Sequence, residues 1–191
     1  MTILHLRVSV YARSKGENAI EVAARYAAEA LQDQSNGFVY DYRHERGVVF
    51  QKILGPDWIA PWWNARAALW NAAERNETRS DSRVAREYQI ALPHELSFWQ
   101  RIELAEQWAR YVVGRYGNVV DLTVHVPPVE GDSRNHFAKL LSTTRQVTAT
   151  GFGEKTEIER TGLGVGRREY KALHTQWAEL VTQTLRTMPA A

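Results

Sequence analysis

The chain has 191 residues, of which 44% are hydrophobic and 24% charged, with a formal net charge of +2. This composition is typical of a soluble globular protein, and the small net charge does not by itself indicate a nucleic-acid partner. The absence of cysteine excludes disulfides and thiolate zinc sites, and the apolar runs are shorter than the roughly 18 residues of a membrane helix. We therefore expect a single domain over residues 1–191, located in the cytoplasm.

The amino-terminal segment alternates between apolar and polar residues over residues 3–11, which predicts a β-strand. The turn that follows, residues 13–16, carries Arg13 and Lys15 beside a serine and a glycine. Such a turn can approach a phosphate through its charge and its backbone amides, so both cations are candidate phosphate contacts. A solvated loop without a ligand is the alternative.

A helix is predicted over residues 17–32 by the spacing of its apolar residues, with Asn18 as the N-cap. Tyr26 falls about 100° from the centre of the apolar stripe, which predicts a position at the rim of the core. On helical position alone, such a tyrosine is usually a packing residue. After this helix, residues 38–42 and 48–54 are expected to pair with each other as strands.

Three more helices follow from the same spacing argument. Pro61 suits the first turn of a helix that extends to about Arg79. Ser97 is the expected N-cap of a helix that reaches about Tyr116, where a Gly-Asn pair ends it. The last helix is predicted over residues 168–187.

A strand that starts at Arg86 separates two of these helices. Its residues alternate, so the carboxylate of Glu87 shares a face with the side chain of Gln89. Glu87 could therefore face a site across the sheet, and an exposed salt bridge at a strand edge is the alternative.

Two alternating runs flank a polar loop between residues 121 and 145, which predicts two adjacent antiparallel strands. The loop contains two prolines and a glycine, which favour turns. In the first run, one face carries polar side chains: Asp121, Thr123 and His125. In the second run, one face is expected to carry Phe137, Lys139, Leu141, Thr143 and Arg145. The pairing predicts a polar cluster on a face that the two strands share.

This segment resembles the metal-site segment of the MobA/MobL family of plasmid mobilisation relaxases, a branch of the HUH endonucleases. The family pattern is a histidine, a loop with proline, Gly-Asp-x-Arg-Asn, x-His-Ala-His and, after two apolar residues, x-Thr-Thr-Arg. The chain has His125, then Gly-Asp-Ser-Arg-Asn at residues 131–135, then Phe-Ala-Lys at 137–139 and Thr-Thr-Arg at 143–145. The resemblance continues with Ala-Arg-Glu at residues 85–87 and covers nearly the whole chain.

The resemblance implies an α+β fold, with a central antiparallel sheet of about five strands and helices packed on it. It also implies that Tyr26 attacks a scissile phosphate of one DNA strand and forms a 5′-phosphotyrosine, with Glu87 in the same site. The implied partners are single-stranded or hairpin DNA at an origin of transfer, relaxosome accessory proteins and a type IV coupling protein. The expected phosphate contacts are made by Arg13, Lys15, Arg134 and Arg145.

The family holds a divalent ion, Mg²⁺ or Mn²⁺, with three imidazoles, and this chain keeps one of them, His125. Phe137 stands where a ligand is expected and cannot bind a metal, and the ammonium of Lys139 would repel the ion. His136 is adjacent, but strand parity directs it to the other face unless a β-bulge rotates it. The resemblance therefore predicts an ion that is bound weakly or not at all.

Two functional hypotheses follow from this difference. In the first, the protein nicks DNA and Lys139 neutralises the phosphate in place of the ion. In the second, nicking is impaired and the domain binds DNA at the transfer origin or acts as a repressor. A third hypothesis, an RNA-binding or purely structural domain, has the least support in the sequence.

Overall fold

The computed structural model describes residues 5–160 and 165–187. The strands are β1 (Leu6–Ala12), β2 (Ala30–Gln32), β3 (Val39–Asp41), β4 (Val48–Leu54), β5 (Arg83–Leu92), β6 (Val120–His125), β7 (His136–Ser142), β8 (Arg145–Thr148) and β9 (Gly151–Lys155). The helices are α1 (Ala19–Ala27), α2 (Arg66–Asn76), α3 (Phe98–Tyr116) and α4 (Val165–Thr187).

Five of the strands form one antiparallel sheet in the order β1-β5-β7-β6-β4. The predicted α+β fold with a five-stranded antiparallel sheet is therefore confirmed. The predicted pairing around the polar loop is also confirmed, because His125 lies opposite Phe137 and Thr123 lies opposite Lys139. Strand β7 is the centre of the sheet, and every residue of β6 is buried.

Helices cover both faces of the sheet. On one face, α3 and α4 pack Trp108 and Trp177 against apolar side chains such as Leu122 of β6. On the other face, α1 and α2 pack Trp70 against a second core that includes Leu141 of β7. Further along this second face, Lys139 is only partly buried and Arg7 of β1 is exposed. Helices α1 and α2 thus leave part of their face of the sheet open.

Local signals set the boundaries of α3. The side chain of Ser97 accepts a hydrogen bond from the backbone of Gln100, and the side chain of Gln100 accepts one from the backbone of Ser97. This capping box fixes the start of the helix. Gly117 adopts a left-handed conformation with φ of 64° and ends it, as predicted.

Several predicted elements have other boundaries in the structure. The first helix stops at Ala27 because Ala28 adopts a left-handed conformation with φ of 54°, and the chain then forms β2. Strand β3 pairs with β2, and β4 pairs with β6, so the predicted pairing of residues 38–42 with 48–54 is wrong. The second helix begins at Arg66 rather than at Pro61.

Arg145 does not share a face of β7 with Lys139. Strand β7 ends at Ser142, and Arg145 begins β8, which pairs with β9 in a separate two-stranded sheet. The prediction was wrong because side chains alternate between the two faces only within a continuous strand, and β7 ends before Arg145.

Among residues 5–160 and 165–187, no helix combines the length and the apolar character needed to cross a bilayer.

Candidate active site

Tyr26 lies in the last turn of α1, and its hydroxyl donates a 2.8 Å hydrogen bond to Oε1 of Glu87 on β5. The residue is 6% exposed, so the expected position at the rim of the core is wrong. The helical periodicity of α1 contains no information about side chains from other elements. In the structure, Lys139 of β7 covers the tyrosine ring, with its ammonium 3.9 Å from the ring centroid. The hydroxyl therefore points toward the sheet.

Glu87 lies in the second strand of the sheet, between Ser9 of β1 and Leu141 of β7. Its side chain is buried, and it makes no exposed salt bridge at a strand edge. One carboxylate oxygen accepts from Tyr26, and the other accepts from the hydroxyls of Ser9 at 2.9 Å and Tyr11 at 3.2 Å. The hydroxyl of Tyr11 also lies within hydrogen-bonding distance of the Tyr26 hydroxyl, and either of the two can act as the donor. Glu87 is thus the acceptor at the centre of a cluster of hydroxyl groups.

This environment favours a protonated Tyr26. Burial raises the pKa of the phenol well above its usual value of 10, and its hydrogen-bonding contact with the hydroxyl of Tyr11 and the charge of Glu87 raise it further. Burial also raises the pKa of Tyr11. A nucleophilic Tyr26 therefore needs a group that accepts its proton during the attack, and Glu87 already has the necessary contact.

Lys139 lies between Gln89 of β5 and Thr123 of β6, in the row of residues next to that of Glu87. Its Nζ is 3.9 Å from Oε1 of Glu87, and its side chain is 23% exposed. Burial lowers the pKa of Lys139, and the charge of Glu87 opposes this shift. The site therefore contains a cation, a carboxylate and a phenol in mutual contact.

His125 lies on the same face in the row after Lys139. Its ring stacks on Phe137 with 4.9 Å between centroids and an interplanar angle of 3°, and its Nε2 is 2.9 Å from the hydroxyl of Thr123. Burial and then the charge of Lys139 lower the pKa of His125 to about 4. The imidazole is therefore neutral at pH 7.

The residues around His125 do not fit a three-imidazole metal site. Phe137 lies against the imidazole and has no donor atom, and Lys139 adds positive charge. His136 pairs with Leu92, which packs on the α3 side of the sheet, so it faces away from His125 as predicted. In the described parts of the chain, no group of three or more histidine, aspartate or glutamate side chains could hold a metal ion.

Three of the four cations predicted to contact phosphates have carboxylate partners in the structure. Arg13 binds Glu74 of α2 at 2.7 Å, and Arg145 binds Glu77 at 2.7 Å, so both guanidinium groups already have carboxylate partners. Arg134 pairs with Asp132 in the loop before β7, and Lys15 is exposed in the turn after β1. Their contact with DNA remains a prediction.

Four residues near Tyr26 were missed by the sequence reasoning: Ser9, Tyr11, Arg7 and Arg25. The alternation of β1 could have indicated three of these residues, because it places Arg7, Ser9 and Tyr11 on one face of the strand. Arg25 stands beside Tyr26, with its Cζ 5.7 Å from the ring centroid. The charges of Arg25 and Arg7 both lower the pKa of Lys139, so these two cations lie near the open face.

The MobA/MobL family model matches residues 17–188. The chain belongs to this family. A curated relative from Acidithiobacillus ferridurans, "Mobilization protein MobL", is 35% identical over 127 residues, which cover 66% of this chain and 33% of the relative. The "Conjugal transfer protein TraA" of Agrobacterium fabrum is 31% identical over 93% of this chain and 17% of its own length. This MobA/MobL chain thus spans one third or less of these relatives.

Solved structures share the fold of this family member. A chain from a structure described as "Molecular Basis of Vancomycin Resistance Transfer in Staphylococcus aureus" has a TM-score of 0.81 and 24% identity over 99% of this chain and 97% of its own. The conjugative relaxase TrwC, in a metal-bound complex with oriT DNA, has a TM-score of 0.61 and 11% identity, with 96% and 70% coverage. At these identities, the likeness shows the fold.

Proposed function

We propose that this chain is the DNA-nicking domain of a plasmid mobilisation relaxase, which breaks one strand at an origin of transfer and retains the 5′ phosphate on Tyr26. The observation that carries this proposal is the hydrogen bond from the Tyr26 hydroxyl to the buried carboxylate of Glu87, beside the uncovered part of the sheet. A nucleophile in contact with a base is the arrangement that covalent catalysis requires. We further propose that residues 1–191 act as one domain.

The proposed reaction is a transesterification. The oxygen of Tyr26 bonds to phosphorus while the bond from phosphorus to the 3′ oxygen breaks. The phenol proton passes to Glu87, and the departing 3′ oxygen takes up a proton from solvent water as it becomes a hydroxyl. The reverse step, attack of a 3′ hydroxyl on the phosphotyrosine, rejoins the strand without an external energy source.

The proposed substrate is single-stranded or hairpin DNA. TrwC, which shares the fold, binds oriT DNA, including a 27-mer with a recognition hairpin and the cleavage site. In this chain, Arg25 lies beside Tyr26 and Arg7 lies near Lys139, and the further candidate contacts are Arg13, Lys15, Arg134 and Arg145. We extend the proposal to relaxosome accessory proteins and a type IV coupling protein as partners of the whole protein, and to action on plasmid DNA in the cytoplasm.

A second candidate is a DNA-binding module of the same family with impaired nicking. It is favoured by one observation, the poor fit of Phe137 and Lys139 to a metal site. This candidate retains the fold and the DNA contacts and lacks the covalent step. The two candidates therefore differ in whether DNA becomes attached to Tyr26.

The test uses a pool of single-stranded oligonucleotides with a randomised central segment and a label at the 3′ end. After incubation with EDTA, Mg²⁺ or Mn²⁺, denaturing gels detect labelled DNA that remains attached to protein. We expect an adduct with the wild type and with Tyr170→Phe, a control at an exposed tyrosine of α4, and none with Tyr26→Phe. DNA binding without an adduct under every ion condition would support the impaired module instead.

A further inference from the structure

We infer that Lys139 supplies the positive charge at the scissile phosphate, so that DNA nicking by this chain requires no divalent metal. This inference rests on the proposed function and adds to it the identity of the electrostatic catalyst. It follows from where the ammonium of Lys139 lies and from the side chains around His125.

The first step of the argument is position. The Nζ of Lys139 is 3.9 Å from Oε1 of Glu87, the oxygen that accepts the hydrogen bond of Tyr26, and 3.9 Å from the centroid of the tyrosine ring. A phosphate within reach of the Tyr26 oxygen would therefore lie close to this ammonium. Charge that develops on the non-bridging oxygens can then be stabilised by a fixed cation in a partly buried site.

The second step is availability. At 3.9 Å, the contact between Lys139 and Glu87 is longer than a hydrogen bond. Glu87 already accepts hydrogen bonds from Ser9, Tyr11 and Tyr26, so its carboxylate keeps partners when the ammonium turns to a phosphate. Weaker pairing with Lys139 would also make Glu87 a better acceptor for the phenol proton.

The third step is the lack of suitable donor groups for an ion around His125 in the described parts of the chain. His125 is the remaining imidazole, its ring is stacked on Phe137, and its Nε2 contacts Thr123. An ion at His125 would also face the ammonium of Lys139, whose charge acts on this histidine. A single imidazole nitrogen beside an ammonium group is a poor site for a metal cation.

The experiment measures the rate of adduct formation by the intact chain in EDTA and in Mg²⁺, using the same pool of randomised oligonucleotides. We expect equal rates in the two solutions. Lys139→Met removes the charge and keeps most of the stem, and we expect a loss of about 10²–10³-fold, the cost of losing one preorganised electrostatic donor. Lys139→Arg should recover part of the rate, and Lys52→Met, at a partly exposed lysine paired with Glu106 on α3, should behave as the wild type.

A variant that introduces the two missing imidazoles gives a readout that does not depend on nicking. Phe137→His combined with Lys139→His would place two imidazoles on β7 beside His125, and calorimetry with Mn²⁺ should detect binding by this variant and none by the wild type. An adduct that forms only with metal, or Mn²⁺ binding by the wild type that His125→Ala abolishes, would overturn the inference and leave the proposed function intact. An absence of adduct in every condition would instead contradict the proposed function, and the inference with it.

Discussion

Tyr26 and Glu87 are 61 positions apart in the sequence, yet the hydroxyl of one donates a 2.8 Å hydrogen bond to the carboxylate of the other. Helix α1 delivers the phenol from above the sheet, and β5 delivers the carboxylate from within it. Neither group can move far, since both are buried. This contact gives the proposed nucleophile and its base a fixed geometry before DNA binds.

Glu87→Gln tests the role of the carboxylate as a base. The amide has almost the same shape but cannot take the phenol proton, so we expect adduct formation to slow by about 10²–10⁴-fold. Binding of single-stranded DNA, followed by fluorescence anisotropy, should be retained. Glu106→Gln on α3 is the matched control, and an unchanged rate with Glu87→Gln would contradict the assignment.

Tyr11→Phe tests a positioning role. Its hydroxyl contacts both Tyr26 and Glu87, and removing it leaves each of them with the other as a partner. We expect a loss of about 1 kcal/mol of transition-state stabilisation, or roughly fivefold in rate, with the DNA still attached to Tyr26. Complete loss of the adduct in Tyr11→Phe would contradict a positioning role and would show that the reaction requires the Tyr11 hydroxyl.

Asp121→Ala tests how much the buried carboxylate of Asp121 contributes to the free energy of unfolding. Asp121 is 3% exposed and accepts hydrogen bonds from Arg66 at 2.7 and 2.9 Å and from the indole of Trp70 at 3.0 Å. Its removal leaves the indole of Trp70 without this acceptor and leaves the guanidinium of Arg66 with Glu29 as its remaining carboxylate partner, which costs about 2–3 kcal/mol. Urea unfolding should show this loss, whereas Asp81→Ala, in an exposed pair with Arg79, should have little effect. Equal stabilities of the two variants would contradict this account.

His125 should make stability depend on pH. Its pKa is about 4 in the folded protein and 6.5 in the unfolded reference, so between these values the unfolded chain binds more protons. The free energy of unfolding should therefore fall as the pH falls from 6.5 to 4, by up to about 3 kcal/mol from this residue.

His125→Gln should remove that part of the pH dependence when unfolding is measured by urea titration at several pH values. His44→Gln, at an exposed histidine, serves as the control and should keep the wild-type slope. Parallel profiles for His125→Gln and the wild type would show that the imidazole is not buried in its neutral form.

Short-range patterns predicted the parts of the fold that depend on neighbouring residues. The alternation around the polar loop predicted the antiparallel pairing of β6 with β7, and the N-cap signal at Ser97 predicted the start of α3. The family resemblance supplied Tyr26 as the nucleophile, while its helical position alone indicated ordinary packing. Assignment of Tyr26, Glu87 and Lys139 to catalysis remains a proposal.

Other features depend on distant partners that no local pattern contains. Ala28 ends α1 in a conformation that alanine rarely adopts, because the following residues pair with β3. The burial of Tyr26 depends on Lys139 from the centre of the sheet, and the pairing of Arg145 depends on Glu77 at the end of α2. The contact of Tyr11 with Glu87 depends on the pairing of β1 with β5.

The most direct test locates the DNA on the protein by mass spectrometry of the trypsin-digested adduct. Cleavage after Arg25 and Arg43 gives a peptide that starts at Tyr26, whereas Tyr11 falls in the separate peptide of residues 8–13. We predict a nucleotide-phosphate mass on the first peptide, with fragmentation assigning it to Tyr26. The same mass on residues 8–13, or on Tyr40 or Tyr42, would contradict the account.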